Sequence, residues 1–204
     1  MKHTLKDYPV LLSLCLAYLL LFLSYIDLSS FWYIYTASMA FLMAIALYYE
    51  RPHSRQLQLK KACSFGILSG IFMYIITWAA SRILPILFPP LQIQLESLYA
   101  LLSPAETWQY AVLILLIIPG EEIFWRGFIE KRLLSHSKAA QAVLLSTLLY
   151  ALPLSFSGNL LLVLAGIGGG LLWGVIYAWK RSLSMVIISH LLFDVLLLAV
   201  FPLV

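Results

Sequence analysis

The sequence predicts an all-α, polytopic transmembrane helical bundle of about seven spans, on three observations: an apolar composition, apolar runs of membrane-crossing length, and basic residues at alternate helix ends. Of 204 residues, 63% are hydrophobic and only 11% charged, and mean hydropathy is +0.95. So few charged side chains cannot dress a water-facing surface, so lipid is the solvent for most of the chain. A span needs about 20 apolar residues to cross roughly 30 Å of hydrocarbon, which allows about six to eight spans in a single membrane domain, 1–204, with short loops between them.

Seven stretches meet that requirement: 9–26, 31–49, 62–81, 105–132, 139–156, 160–179 and 183–201. The first resembles a secretory signal, but it lacks a small-residue cleavage site and further spans follow, so it reads as a retained anchor. Basic residues gather at Lys2, His3 and Lys6, at Arg51, Arg55, Lys60 and Lys61, at Lys131, Arg132 and Lys138, and at Lys180 and Arg181. These are every second helix end, and the positive-inside rule therefore predicts a multi-pass cell-membrane protein with a cytoplasmic N-terminus and an extracytoplasmic C-terminus. Arg82 is the exception, and the connection 82–104, with Pro85, Pro89, Pro90 and Pro104, reads as an external loop or short interfacial segment.

The formal charge of +4 resides in those short clusters and not in a basic domain, which argues against nucleic acid as a partner. Cys15 and Cys63 lie in or beside apolar runs and read as small core residues, not as a disulfide or metal knuckle. Gly166, Gly170 and Gly174 recur every four residues, giving the sixth span a ridge against which a neighbour can pack closely, or a helix that moves to gate access. Trp32, Trp125, Trp173 and Trp179 read as belt or packing residues, and Tyr150 and Phe124 as candidates to line a site.

Five ionisable residues lie where hydrocarbon is expected: Glu121, Glu122, Arg126, His190 and Asp194. A charge there costs several kcal/mol unless it is paired or lines a wet cavity, so intramembrane ionisable groups are functional candidates by default. Counting from Lys131-Arg132 and from Lys180-Arg181 puts Glu121 and His190 at one depth, roughly 15 Å from the basic ends at about 1.5 Å per residue. Glu122 and Arg126 are an i,i+4 pair, which leaves Glu121, about 100° around the helix, free to work. His190 and Asp194 have the same spacing, and the aspartate is placed to fix the imidazole's tautomer. These groups could activate water on Glu121 for attack on a peptide carbonyl, with His190 or a neighbour stabilising the oxyanion.

Other readings use the same residues. Glu122 with Arg126 can be a register-fixing ion pair, and His190 with Asp194 an interhelical polar clasp. Glu121, His190 and Asp194 are of the types that bind zinc, although no His-Glu-x-x-His run is present, and no cofactor is otherwise expected. A proton or ion path would also use carboxylates and histidine, but the chain is short and lacks an internal repeat.

Glu121-Glu122-Ile123-Phe124-Trp125-Arg126 resembles the Glu-Glu-x-x-x-Arg motif of the CAAX protease and bacteriocin-processing (CPBP, or Abi) family of intramembrane glutamic endopeptidases, and His190-Leu191-Leu192-Phe193-Asp194 resembles its His-x-x-x-Asn/Asp motif. The resemblance covers a catalytic core at about 105–201; the first three spans match only in being hydrophobic. It implies that Glu121 activates water, that Glu122 and Arg126 support it, and that His190 and Asp194 position the water or polarise the carbonyl. The family is often described as metalloproteases, while its eukaryotic branch favours metal-free glutamate chemistry. Between the motifs the family has Phe-x-x-x-His, where this chain has Tyr150-Ala151-Leu152-Pro153-Leu154. Leucine there removes a proton carrier, an oxyanion donor and a potential ligand at once. If the histidine served as an oxyanion donor its loss would cost about 3–4 kcal/mol, leaving a slow enzyme; if it was essential, the chain is a pseudoenzyme.

Two functions follow. One is an endopeptidase acting on a membrane-associated peptide or protein, reached from the cytoplasmic side. The other is a catalytically impaired binding, immunity or scaffold protein that keeps the cavity. Membrane lipid surrounds either, and the sequence fixes no oligomeric state.

Overall fold

The computed structural model describes residues 4–50 and 59–204; Lys2, His3, Arg51 and Arg55 of the basic clusters lie outside the described residues. The described chain is all helical. α1 (Thr4–Ile26) and α2 (Phe31–Tyr49) form a hairpin, turned by Asp27, whose carboxylate accepts from the Ser29 N–H at 3.0 Å and from the Ser29 and Ser30 hydroxyls. These bonds favour the charged form and hold the exposed Asp27 carboxyl below its ordinary range. α3 (Leu59–Leu87) runs beyond the expected end at 81, carrying Pro85 within it, and α4 (Pro90–Leu102) is a helix where a loop or short segment was expected. Pro90 in its first turn explains the start, since proline's missing N–H has no partner there anyway.

The expected span 105–132 is a continuous helical run, 107–136, here α5. It is not among the six described helices long and apolar enough to cross a membrane, which are Tyr8–Ile26, Leu28–Tyr49, Lys60–Leu87, Ala139–Ser157, Leu160–Lys180 and Leu183–Val200. Its charged lower half is instead enclosed by protein: every residue from Phe124 to Glu130 is buried. Two π-helical stretches, Leu113–Ile117 and Ile123–Glu130, interrupt it. The Ile118 N–H bonds the Leu113 carbonyl five residues back, which absorbs the disturbance of Pro119, a residue with no N–H to donate.

α6 (Ala139–Ala151) ends in a 3-10 turn, Leu152–Ser157, after which Gly158, at φ +69°, reverses the chain. α7 (Leu160–Lys180) starts at Asn159, whose side chain accepts from the Leu162 N–H. α8 (Leu183–Val195) is capped by Ser182 and closes in a π-helical turn, Leu196–Val200. The glycine ridge of α7 packs on α6: a Cβ on Gly170 would lie 2.8 Å from Thr147 Cγ2. A second close approach joins α3 to α8 at Gly66 and Gly70, where a Cβ on Gly70 would lie 2.6 Å from the Ser189 carbonyl oxygen. In lipid, where apolar side chains give no preference for protein over solvent, such close contacts bring helices together.

The expectation that both cysteines are core residues is corrected: Cys15 is exposed and Cys63 half-buried, and both are free. Lipid-facing positions are as apolar as the interior, so hydrophobic surroundings did not identify the buried face.

Candidate active site

Glu121 sits at mid-run in α5, 6% exposed, between α2 and α6. Each of its carboxylate oxygens receives a tyrosine hydroxyl: Tyr35 of α2 donates to Oε1 at 2.5 Å and Tyr150 of α6 donates to Oε2 at 3.0 Å. Each carboxylate oxygen has room for a second donor. Gly120 permits the approach of α2, since a Cβ there would lie 3.2 Å from the Met39 carbonyl oxygen.

Glu122 is fully buried and takes different partners. Its Oε1 accepts from Arg126 Nη1 at 3.2 Å, the expected i,i+4 pair, and lies 2.7 Å from His190 Nδ1. A carboxylate paired with a guanidinium can only accept, so Nδ1 of His190 carries the hydrogen of that bond. Sequence spacing pointed to Asp194 as the residue that fixes the imidazole; instead Glu122 makes the hydrogen bond, and Asp194 Oδ2 stands 3.6 Å from Nε2, at ion-pair distance. The ring is further fixed by Trp173 of α7, stacked on it with centroids 3.8 Å apart and donating from Nε1 to the Ser189 hydroxyl at 3.2 Å.

Glu121, His190, Asp194, Tyr150 and Leu154 all face one cavity of about 130 Å³, together with Tyr35. Phe124 does not reach it; this residue packs edge-on against Trp125, which in turn packs against Tyr150. Leu154, 4% exposed, forms part of the wall. The cavity extends from Glu121 and His190 past Tyr25, Phe31, Leu98 and Leu198, at the helix ends away from Lys131, Arg132, Lys180 and Arg181. On the side toward those basic residues, Phe124, Trp125, Phe128 and Ile129 are buried to within 1% and fill the space.

Tyr35, Trp173 and Glu130 are the polar neighbours that sequence reasoning missed. Glu130 is fully buried, with Oε2 accepting from the Ser146 hydroxyl at 3.2 Å. Its signal was available, since it lies four residues beyond Arg126, but its nearness to Lys131-Arg132 made it look like part of a helix end. Glu122 Oε2, Arg126 Nη2 and Glu130 Oε1 are buried without a protein partner, so this column of charges is bonded on one side only.

The arrangement can hold a water against a carboxylate inside a protein-lined cavity that an oriented imidazole also lines. Among the described residues no three or more His, Cys, Asp or Glu side chains are grouped to hold a metal ion. Glu121 is engaged by the Tyr35 and Tyr150 hydroxyls, and Glu122 by Arg126 and His190.

Residues 103–196, a little under half of the chain, match the family described as type II CAAX prenyl endopeptidase Rce1-like. The matched stretch holds Glu121, Glu122, Arg126, Tyr150, Leu154, His190 and Asp194, while Tyr35 lies outside it. No curated protein and no solved structure matches the chain. Across residues 103–196, this multi-pass membrane protein is similar to the Rce1-like family, and the matched stretch is set within a helical membrane bundle.

Proposed function

We propose that the chain is an intramembrane endopeptidase of the CPBP (Abi) kind, hydrolysing a peptide bond in a membrane-associated protein or peptide. The observation that carries this reading is that Glu121 and His190, from helices far apart in sequence, face one cavity. Buried carboxylate and imidazole groups are otherwise an expense in hydrocarbon that a merely structural bundle avoids.

In this reading Glu121 takes a proton from water as the water oxygen bonds the carbonyl carbon and the carbonyl pair moves onto its oxygen. The pair then returns, the C–N bond breaks, and the nitrogen takes the proton from Glu121. Glu122 and Arg126 support the site, and Glu122 holds His190 so that Nε2 faces the water beside Asp194. In this reading substrate enters along the cavity, past Tyr25, Phe31, Leu98 and Leu198.

The test is the purified full chain in phosphatidylcholine vesicles with a library of peptides anchored by one apolar span, products read by mass spectrometry. Cleavage that Glu121→Gln abolishes is the expected result, and cleavage unchanged in that variant overturns the assignment. Stoichiometric zinc whose removal stops cleavage would transfer the water-activating role to a metal held by Glu121, His190 or Asp194.

Leu154 favours a second reading, in which the chain binds a peptide or partner as an immunity or scaffold protein without cleaving it. Peptide binding with no turnover in the parent, and none after Leu154→His, is the outcome that selects it.

A further inference from the structure

We propose that Tyr150 supplies the oxyanion hydrogen bond that Leu154 cannot, and that Tyr35 holds Glu121 in place while it does so. The inference rests on the peptidase reading and gives that site a donor.

A tetrahedral intermediate needs a hydrogen-bond donor where negative charge develops, and the donors facing the cavity are few. Leu154 has none. His190 has committed Nδ1 to Glu122, and its Nε2 stands beside the Asp194 carboxylate, so a hydrogen on Nε2 is drawn to Asp194 and a bare Nε2 donates nothing. The Arg126 guanidinium is buried behind the ring of Tyr150, 4.6 Å from its centroid. Of the donors that remain on the cavity lining, which include Tyr25 and Trp32, the hydroxyls of Tyr35 and Tyr150 are the two bonded to Glu121.

Their settings differ. Tyr35 is stacked on Phe31, centroids 5.1 Å apart, and makes the shorter bond, at 2.5 Å; it is a positioning residue. Tyr150 makes the longer bond, at 3.0 Å, and sits one helical turn before Leu154 on the same wall. When Glu121 takes the water's proton, its carboxyl becomes a weaker acceptor while the substrate oxygen becomes an anion. The Tyr150 hydroxyl then shifts its hydrogen bond from Glu121 Oε2 to that oxygen, and returns as the C–N bond breaks and the proton passes from Glu121 to the leaving nitrogen. No proton leaves Tyr150 and no further reactant is required.

The experiment measures kcat and KM in the vesicle assay on the best-cleaved spanning peptide, for the parent, Tyr150→Phe, Tyr35→Phe, Leu154→His and the double variant Tyr150→Phe with Leu154→His. Tyr150→Phe is expected to lower kcat about 10²-fold or more with KM within twofold, and Leu154→His is expected to restore most of that loss. Tyr35→Phe also lowers kcat at unchanged KM, and Leu154→His does not restore it. A Tyr150→Phe kcat within threefold of the parent overturns the inference and leaves the peptidase reading standing, as does a loss accompanied by a lower unfolding temperature and no rescue. A parent that binds peptides and cleaves none overturns both.

Discussion

His190 Nδ1 lies 2.7 Å from Glu122 Oε1, and the same oxygen accepts from Arg126 Nη1 at 3.2 Å. One carboxylate oxygen therefore ties α5 to α8 and sets which edge of the imidazole faces the cavity. Its neighbour in sequence, Glu121, shares none of these bonds and, among the described residues, is held by two tyrosine hydroxyls. Two adjacent glutamates thus have separable roles.

Glu122→Ala leaves a buried guanidinium and an imidazole without their acceptor, and is expected to destabilise the bundle by about 3–5 kcal/mol. Glu121→Gln keeps an amide oxygen for one tyrosine and is expected to cost far less. Unfolding in mixed detergent, followed by helical circular dichroism, checks the difference; equal losses would mean that the two carboxylates share one structural role.

Gly70 meets α8 at backbone, not at a movable side-chain tip, one residue before His190. Gly70→Ala pushes against the Ser189 carbonyl and is expected to cost about 1–3 kcal/mol through overpacking. Because the displaced segment carries the imidazole, peptide cleavage falls further than the stability loss alone explains. The comparison is with Gly158→Ala, strained by its positive φ but with open space around it and not among the residues lining the cavity.

Glu50, just past α2, bridges Lys131 at 2.7 Å and Arg132 at 3.0 Å. Partial burial pushes its carboxyl upward, but the two cations outweigh that and hold it below its ordinary value. A depressed folded-state value means that this stabilisation is complete above the unfolded carboxylate pKa of about 4.3 and fades as pH falls through the folded value. The pair is partly solvated, so the contribution is about 0.5–1 kcal/mol. The unfolding temperature in detergent is expected to fall more steeply below about pH 4.3 for the parent than for Glu50→Gln; parallel curves would deny the bridge any weight.

Glu121, Glu122, Arg126, His190 and Asp194 stood out as candidates because hydrocarbon makes a charged residue conspicuous, and the i,i+4 spacing of Glu122 and Arg126 matches their contact at 3.2 Å. The bond between Glu122 and His190 was not legible, because it depends on how α8 is rotated against α5, which spacing within either helix does not fix. Tyr35 and Trp173 were hidden by their own ordinariness, since aromatic rings are common in membrane helices and only the packed bundle shows which hydroxyl meets a carboxylate. The six apolar spans stood out by length, whereas the charged run 107–136 could be recognised as helix but not as the enclosed centre of the bundle. Its two π-helical stretches shift the helical phase, so faces counted at 3.6 residues per turn drift over the length of the run, although the local pair Glu122 and Arg126 still meets.

The most direct test of water activation by Glu121 is cleavage of a spanning peptide in water enriched in oxygen-18. The account predicts one heavy oxygen in the new C-terminal carboxyl with the parent, and no product above background with a folded Glu121→Gln. Labelled product formed by Glu121→Gln at the parental rate would contradict it.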